Sequence, residues 1–432
     1  MNSTTFQINA PLFGEYDVVV CGGGIAGFAS AVSAAREGMK VALIEKGGYL
    51  GGTMTQGAIL HLIDAANKGG IVKEMLDYLN SRQWTCPRKG ERVDENGKKI
   101  PGFLIDIEGA KYYVDEVCTS LGIELLYYSR LCAVNTKDGK IESLLISSDG
   151  GNFSVKGKIY IDATGNGNLA GMCGCRYECG EPQTGVMQSM SMCGVVVGYP
   201  DHINGVDSEQ EKTEYHKMLE KYNVTTSGGQ SGLVKMPALK AWVIGGNYEY
   251  NIRHDDIKAI TGATIRGRKE IIDVVEKHSK IPGYEGMTTV HTNDHIGVRE
   301  GRRVLGQYRI TLDDIIEGKR FDDGICLVKF IVDVHKLKKD DTLDNKRGIK
   351  TQPYNIPYRS LVPLDVDNML LAGRCISGDF YPHASYRVMG NMAATGEAAG
   401  YAASICVKES VLPKEVDGTR IRSFMDKKGY EL

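Results

Sequence analysis

No apolar run in this chain reaches the roughly 20 residues that a membrane-spanning helix requires, so no membrane partner is expected. Charge of one sign is not in excess either. A formal net charge of −2 over 432 residues leaves no electrostatic footprint for nucleic acid or an anionic membrane surface. The opening residues, MNSTTFQINAPLFG, lack the basic and apolar regions of a secretion signal, and none is expected. The eleven cysteines are an odd count without the dense, regular spacing of a secreted disulfide scaffold. Cys21, Cys132 and Cys326 lie inside apolar, strand-like runs, where a thiol behaves as a small hydrophobe. There is no Cys-x-x-Cys pair, so Cys173, Cys175 and Cys179 make a poor zinc or iron–sulfur set, and no metal is expected. What remains is a cytoplasmic, globular chain with room for two or three domains.

What is present is concentrated first in Tyr16 to Glu45. Val18 to Cys21 is a continuous apolar run, as in a strand buried on both faces. Gly22-x-Gly24-x-x-Gly27 follows at once, then an Ala- and Ser-rich helix from Ile25 to Arg36, then a second apolar run, Val41 to Ile44, ending in Glu45. This is a βαβ dinucleotide unit. Gly22 permits the tight turn, Gly24 lets a pyrophosphate approach, and Gly27 lets helix and strand pack closely. The helix start at Ile25 and Ala26 offers N–H groups and a positive dipole end to phosphate. Glu45, about 20 residues on, is placed to accept from a ribose diol. The loop from Lys46 through Gly51, Gly52 and Thr53 can cradle phosphate or pass close over a ring. Only one such glycine motif is present, so a nicotinamide dinucleotide would lack a second fold of its own.

Helices are expected over 70–84, 108–121, 208–221 and 256–278, with an exposed loop or hairpin over 86–101. Strands are expected at 123–128, then at 131–135, 141–147 and 153–155 as a meander turned by Asp138-Gly139 and Asp149-Gly150. A further buried strand, Lys158 to Asp162, runs into Ala163-Thr164-Gly165, a turn where a larger side chain would block a ligand. Met187, Met190 and Met192 suggest a strand with one apolar face. Composition shifts to charged helices and separate strands from about 196. His291 and His295 fall in a strand-like context and are not expected to bind metal. The stretch 297–304 is basic, either a surface ion-pair patch or an anion site. Residues 336–350 read as a charged linker. Met369 to Gly373 is a strand breaking into a turn, 378–387 an irregular polar segment, and Gly390 to Ser404 a small-residue helix able to lie against a flat ring or another backbone.

Taken in order, DVVVCGGGIAGFASAVSAAREGMKVALIEK, IDATGNGNLA, HIGVREGRRVLGQYRIT, YNIPYRSLVPLDVDNMLLAGRCIS and ASYRVMGNMAATGEAAGYAA resemble a bacterial family of FAD-dependent oxidoreductases. That family belongs to the glutathione-reductase-like, two-dinucleotide-binding flavoprotein superfamily, and is related to the flavoprotein part of heterodisulfide reductase. The resemblance implies an α/β fold: a Rossmann-like FAD-binding domain with a parallel sheet and antiparallel meander (1–195 and 346–432), plus an inserted α+β substrate domain (196–345). It implies FAD as cofactor, with pyrophosphate at Gly22, Gly24, Ile25, Ala26 and Gly27, and adenosine ribose on Glu45 beside Lys46. Gly51, Gly52, Thr53, Leu131, Ala163, Thr164, Gly165, Gly373 and Arg374 would line the cofactor, and Gly390, Asn391 and Met392 would face the flavin. Asn166 and Asn168 stand where relatives often carry Asp, and Asp379-Phe380-Tyr381-Pro382 departs from the usual stretch before His383. The iron–sulfur cysteine motif is absent. Hydride transfer between flavin and a small anionic or hydroxylated substrate is the expected reaction, with a redox partner protein the alternative. His383 is the candidate acid or base, Arg387 the anion clamp, and Tyr358 and Arg359 secondary lining groups.

Overall fold

A computed structural model describes residues 4–5, 7–87, 92–93, 99–100, 102–200, 209–229, 231–343 and 345–432. The principal elements are β1 (Leu12–Cys21), α1 (Ile25–Arg36), β2 (Val41–Ile44), α2 (Gly70–Ser81), α3 (Ile107–Ser120), β3 (Glu124–Leu126), β4 (Arg130–Lys137), β5 (Lys140–Ser148) and β6 (Gly151–Asp162). They continue with β7 (Gly194–Val197), α4 (Glu209–Lys221), β8 (Gly232–Lys235), β9 (Ala241–Gly245), α5 (Ile257–His278), β10 (Thr288–Thr292), β11 (Met369–Leu371), α6 (Phe380–Tyr386) and α7 (Met389–Glu409).

A seven-stranded sheet runs β3-β2-β1-β6-β5-β4, with β11 also paired to β6. Its β3, β2, β1, β6 and β11 pairings are parallel, whereas β6-β5 and β5-β4 are antiparallel. β1 and β2 are buried along their paired residues, the pattern of strands covered on both faces. The meander turns at Asp138-Gly139, both at positive φ (48° and 74°), the geometry that Asp-Gly favours. Its third strand does not stop at Val155 but continues unbroken into Asp162. Gly157 makes this possible: a Cβ there would press on Val19 of β1, so a bare residue keeps the strand in register. β6 therefore pairs with β5 through Gly151 to Val155 and with β11 through Tyr160 to Asp162.

The C-terminal helix α7 lies on α1. A Cβ at Gly396 would overlap the Ala26 carbonyl oxygen and one at Gly400 that of Ser30, while Ser33 Oγ donates to Glu397 O at 2.8 Å. The small residues thus bring two backbones together, the second of the two uses expected for them.

A four-stranded antiparallel sheet, β8-β9-β7-β10, carries α5 and α4 and has a hydrophobic cluster of its own drawn from residues 190–298. Asp256 caps α5, accepting from Ala259 N at 2.9 Å. The methionine run before β7 is not a regular strand. It makes two isolated bridges, Met190 to Glu249 and Ser191 to Gly297, because it passes between two segments and is enclosed from both sides; Gln188 and Ser189 are buried with the methionines. Segment 378–387 is likewise not irregular: it forms α6, with Pro382 inside the first turn, where its missing N–H is tolerated. Segment 336–350 is held by Asp341, which accepts from Leu337 N and Leu343 N and pairs with both terminal nitrogens of Arg347. Within the expected hairpin at 86–101, Arg92-Val93 pairs with Lys99-Ile100, and its connecting residues lie outside those described. Among the described residues no helix is long and apolar enough to cross a membrane.

Candidate functional site

The glycine turn is shaped by three different constraints. Gly22 adopts a φ of 99°, and a side chain there would press into the Ala163 and Thr164 backbone. At Gly27 a Cβ would overlap the Gly22 carbonyl oxygen, so the helix reaches the turn only because that residue is bare. Gly24 differs: its φ of −63° suits any residue, and a Cβ there would meet nothing within 4 Å. Open space therefore lies above the start of α1, which carries no side-chain cap. Its first N–H groups, including those of Ile25 and Ala26, are left for an anion.

Glu45 folds back over this turn. Its carboxylate accepts from Gly23 N and Gly47 N, each at 2.7 Å, with Gln56 Nε2 at 3.4 Å. A carboxylate offers about four acceptor sites, so capacity remains for a diol. The following loop crosses the turn, with Gly51 N donating to Gly23 O at 2.8 Å. Gly52 abuts Gly24 and Thr53 is exposed. Three cations gather nearby. Desolvation, and then the Arg130 and Arg374 charges, lower the Lys46 ammonium against the pull of Glu45. Burial likewise pushes Arg374 down to about 10; its guanidinium donates to Asn166 Oδ1 at 2.7 Å, and its buried Nε has no partner. Asn166 thus works as a neutral acceptor, a role that needs no Asp.

The second signature turn is anchored from below. Asp162 accepts from Thr164 N and Oγ1 (3.0 and 2.7 Å) and from Ala170 N (2.9 Å). This fixes Ala163, Thr164 and Gly165 against Gly22 and Arg374. Gly373, at the end of β11, faces Ala26. Leu131 is half-buried in β4 opposite Ile146, next to Arg130. At the opening of α7, Gly390 N donates to Ile63 O at 3.0 Å and Met392 N to Val388 O at 3.1 Å, so those two N–H groups are already engaged. Asn391 is fully buried, and neither its Oδ1 nor its Nδ2 has a partner. An orphaned amide at a helix start calls for a polar ligand. The space above Gly24, its rim of cations and this amide fit an extended, phosphorylated cofactor with a polar ring edge. The residues that would hold it are those of the glycine turn, Glu45, Lys46, Arg374 and Asn391.

His383 stands apart from expectation. It is 0 % exposed, packs edge-on against Tyr386, and neither ring nitrogen has a partner in full hydrogen-bond geometry. Burial, then Arg303, Arg387 and Arg374, hold it well below its usual range, with only the Arg374 main chain opposing. It is neutral and enclosed. Tyr358 is not brought to His383 or Arg387: its hydroxyl donates to Pro413 O at 2.8 Å, and Arg359 beside it pairs with Asp323. Tyr358 is packed in the interior there, and Arg359 is held in that ion pair.

A second polar cluster lies where the two sheet systems meet. Gln188 Oε1 accepts from His335 N (3.1 Å) and Arg387 Nη2 (3.2 Å), and Arg387 also donates to Asp333 O at 2.8 Å. Tyr248 Oη is 2.6 Å from His335 Nδ1, and His335 Nε2 is 3.3 Å from Asp333 Oδ2. Arg299 donates to the Ser189 carbonyl oxygen and sits 5.1 Å over the Tyr248 ring. The sequence marks the basic stretch containing Arg299 but not Tyr248, His335 or Asp333. No local motif distinguishes these three, since they meet only through tertiary packing. Arg130 carries no sequence signal either, although it adjoins Leu131.

The chain belongs to the FAD dependent oxidoreductase family, whose model matches residues 17–425. It is an enzyme of that class, and FAD is its cofactor. Among curated relatives, a leghemoglobin reductase from Vigna unguiculata is 34% identical over 158 residues, covering 35% of this chain and 28% of its own. An iron–sulfur component of the CoB–CoM heterodisulfide reductase from Methanopyrus kandleri is 34% identical over 110 residues, covering 25% and 16%. The match thus spans less than a third of each relative. Of solved structures, p-nitrophenol 4-monooxygenase from Pseudomonas putida superposes with a TM-score of 0.48 at 13% identity, covering 96% of this chain and 87% of that one.

Proposed function

We propose that this enzyme moves a hydride between FAD and a small, anionic or hydroxylated organic substrate held between the cofactor-binding part (1–195 and 346–432) and the inserted part (196–345). When bound, FAD supplies the two-electron redox chemistry, and the protein supplies binding, orientation and proton handling. The glycine turn, Glu45, Lys46, Arg130 and Arg374 hold the dinucleotide, in the manner of the glutathione-reductase-like flavoproteins. Asn391 would give the ring a donor and an acceptor, and Gly390 and Met392 would face it. Arg387, two residues before α7, is the anion clamp. Because it is enclosed among guanidinium groups, we assign His383 hydrogen bonding rather than proton exchange. A redox partner protein is assigned the role of electron acceptor. Eleven free thiols suit a reducing, cytoplasmic compartment.

The observation that carries this reading is the open, uncapped start of α1, with Lys46 nearby and within electrostatic reach of Arg130 and Arg374. The test is to purify the protein, confirm its yellow colour, and mix it anaerobically with hydroxy acids, sugars and amines while following the oxidised flavin absorbance. Bleaching by one class is expected. A colourless protein that refuses added FAD sinks the reading.

A further inference from the structure

We propose that Tyr248, His335 and Asp333 form a proton relay for a 2-hydroxy acid whose carboxylate is bound between Arg299 and Arg387. The inference rests on the oxidoreductase reading above and adds to it the substrate class and the groups that take its proton.

The geometry gives the relay a direction. His335 Nε2 lies 3.3 Å from Asp333 Oδ2; a carboxylate only accepts, which favours the ring proton on that nitrogen and leaves Nδ1 as the acceptor. The Tyr248 hydroxyl, 2.6 Å from Nδ1, then donates inward and turns its lone pairs outward to receive a proton. Each member is fixed from a different part of the chain. Tyr248 N donates to Ser227 Oγ at 2.7 Å, the Met190–Glu249 bridge holds the next residue, and Gln188 receives the His335 main-chain N–H. Gln188 is 1 % exposed, and its Nε2 has no partner; the buried Oγ of Ser189 and the Nε of Arg387 have none either. Unpartnered polar atoms of this kind, converging from several segments, mark a site built for a polar ligand. Arg299 lies 5.1 Å over the Tyr248 ring, so a carboxylate held by that guanidinium would share the cluster with the tyrosine, as a 2-hydroxy acid requires. Tyr248, His335, Asp333, Arg299 and Arg387 are all half-buried, unlike His383, so a substrate can reach them.

In the oxidative direction the substrate O–H bond breaks. Its proton passes to Tyr248 Oη as the tyrosine proton moves to His335 Nδ1, leaving an imidazolium beside the Asp333 carboxylate. The carbinol C–H bond breaks with its electron pair, which leaves as hydride with FAD as acceptor. The alcohol becomes a 2-oxo acid, for which bound FAD would supply the two-electron acceptor. The same cations would make the relay respond to its substrate. The charged groups facing His335 are Arg299, Arg387 and Asp333, with Tyr248 as the remaining titratable neighbour. Burial and then Arg299, with Arg387 adding, push His335 down to about 4 against the pull of Asp333. A carboxylate bound by both arginines cancels those two charges and raises the proton affinity of the imidazole.

The test uses the FAD-loaded protein labelled with 15N-histidine and oxalate as the probe. The His335 resonance is identified by its loss in His335→Gln. Expected are saturable oxalate binding and a His335 titration displaced upward by about one pH unit or more, the size of shift that neutralising nearby charges produces. Arg299→Gln and Arg387→Gln should each weaken oxalate about tenfold or more, the loss expected of a charge-assisted contact. Tyr248→Phe should keep both flavin and oxalate affinity yet slow bleaching by a 2-hydroxy acid about a hundredfold. A His335 titration indifferent to oxalate overturns the site, in the unmodified protein and whatever the variants do. Wild-type bleaching by Tyr248→Phe overturns the relay while leaving the oxidoreductase reading intact. If oxalate shifts His335 but no 2-hydroxy acid bleaches the wild type, the alcohol assignment falls and the anion site stands.

Discussion

Gly24 and Gly27 lie within one turn, yet the two glycines face different surroundings. Gly27 is bare because protein backbone occupies the space its Cβ would need, so Gly27→Ala should lower stability by about 1–3 kcal/mol through overpacking, with or without FAD. Gly24 faces open space at an ordinary φ. Gly24→Ala should therefore unfold at the wild-type denaturant concentration as apoprotein, while FAD affinity falls about tenfold or more because the methyl enters the pyrophosphate path. Unchanged FAD affinity would place the phosphates elsewhere. The distinction is legible in the sequence, since the three glycines of the motif have separate mechanical duties. The duties of His383 are not. A histidine near a cofactor segment reads the same whether it is exposed or enclosed, and only packing reveals the guanidinium groups around it.

Among the elements, α7 shows what composition can and cannot say. Its small residues predict close approach but not to what, and the partner is α1. Gly396→Val should cost about 1–3 kcal/mol by forcing a branched side chain onto the Ala26 carbonyl. Because Ala26 belongs to the helix that opens at the glycine turn, FAD retention on gel filtration should fall as well. Full retention with unaltered stability would mean that the helices can part freely. The meander and its turns are readable from period-two patterning and Asp-Gly pairs. The continuity of β6 is not, because Gly157 looks like a break until β1 is seen beside it. Segment 378–387 misleads in the opposite sense: its proline and mixed polarity suggest a loop, yet the proline falls where a helix accepts one.

At the scale of the whole molecule, acid sensitivity follows from how the region after 335 is fastened. Hydrogen bonds from Arg347, with the Leu337 and Leu343 N–H groups adding, hold the Asp341 carboxyl well below the usual carboxylate range although burial opposes them. A carboxyl depressed on folding contributes stability above its unfolded value of about 3.9 and loses it as pH falls through the lower, folded value. Thermal midpoints should therefore fall steeply below about pH 4, and Asp341→Asn should be less stable at neutral pH with a flatter acid limb. An acid limb identical to wild type would show that the pair does not fasten the segment. Nothing in a run of lysines and aspartates from 336 to 350 tells which two will pair, because that choice depends on which of them the surrounding chain shields from water.

The strand β6 borders both the meander and β11, and about two hundred residues of polypeptide separate the two partners along the chain. During synthesis the edge of β6 beyond Tyr160 must wait, bare, until the closing strand emerges from the ribosome. Such an edge is a template for unwanted pairing. On the reading proposed above, the coenzyme can be gripped only after β11 and α7 have both been made, so flavin capture has to follow synthesis of the whole inserted part.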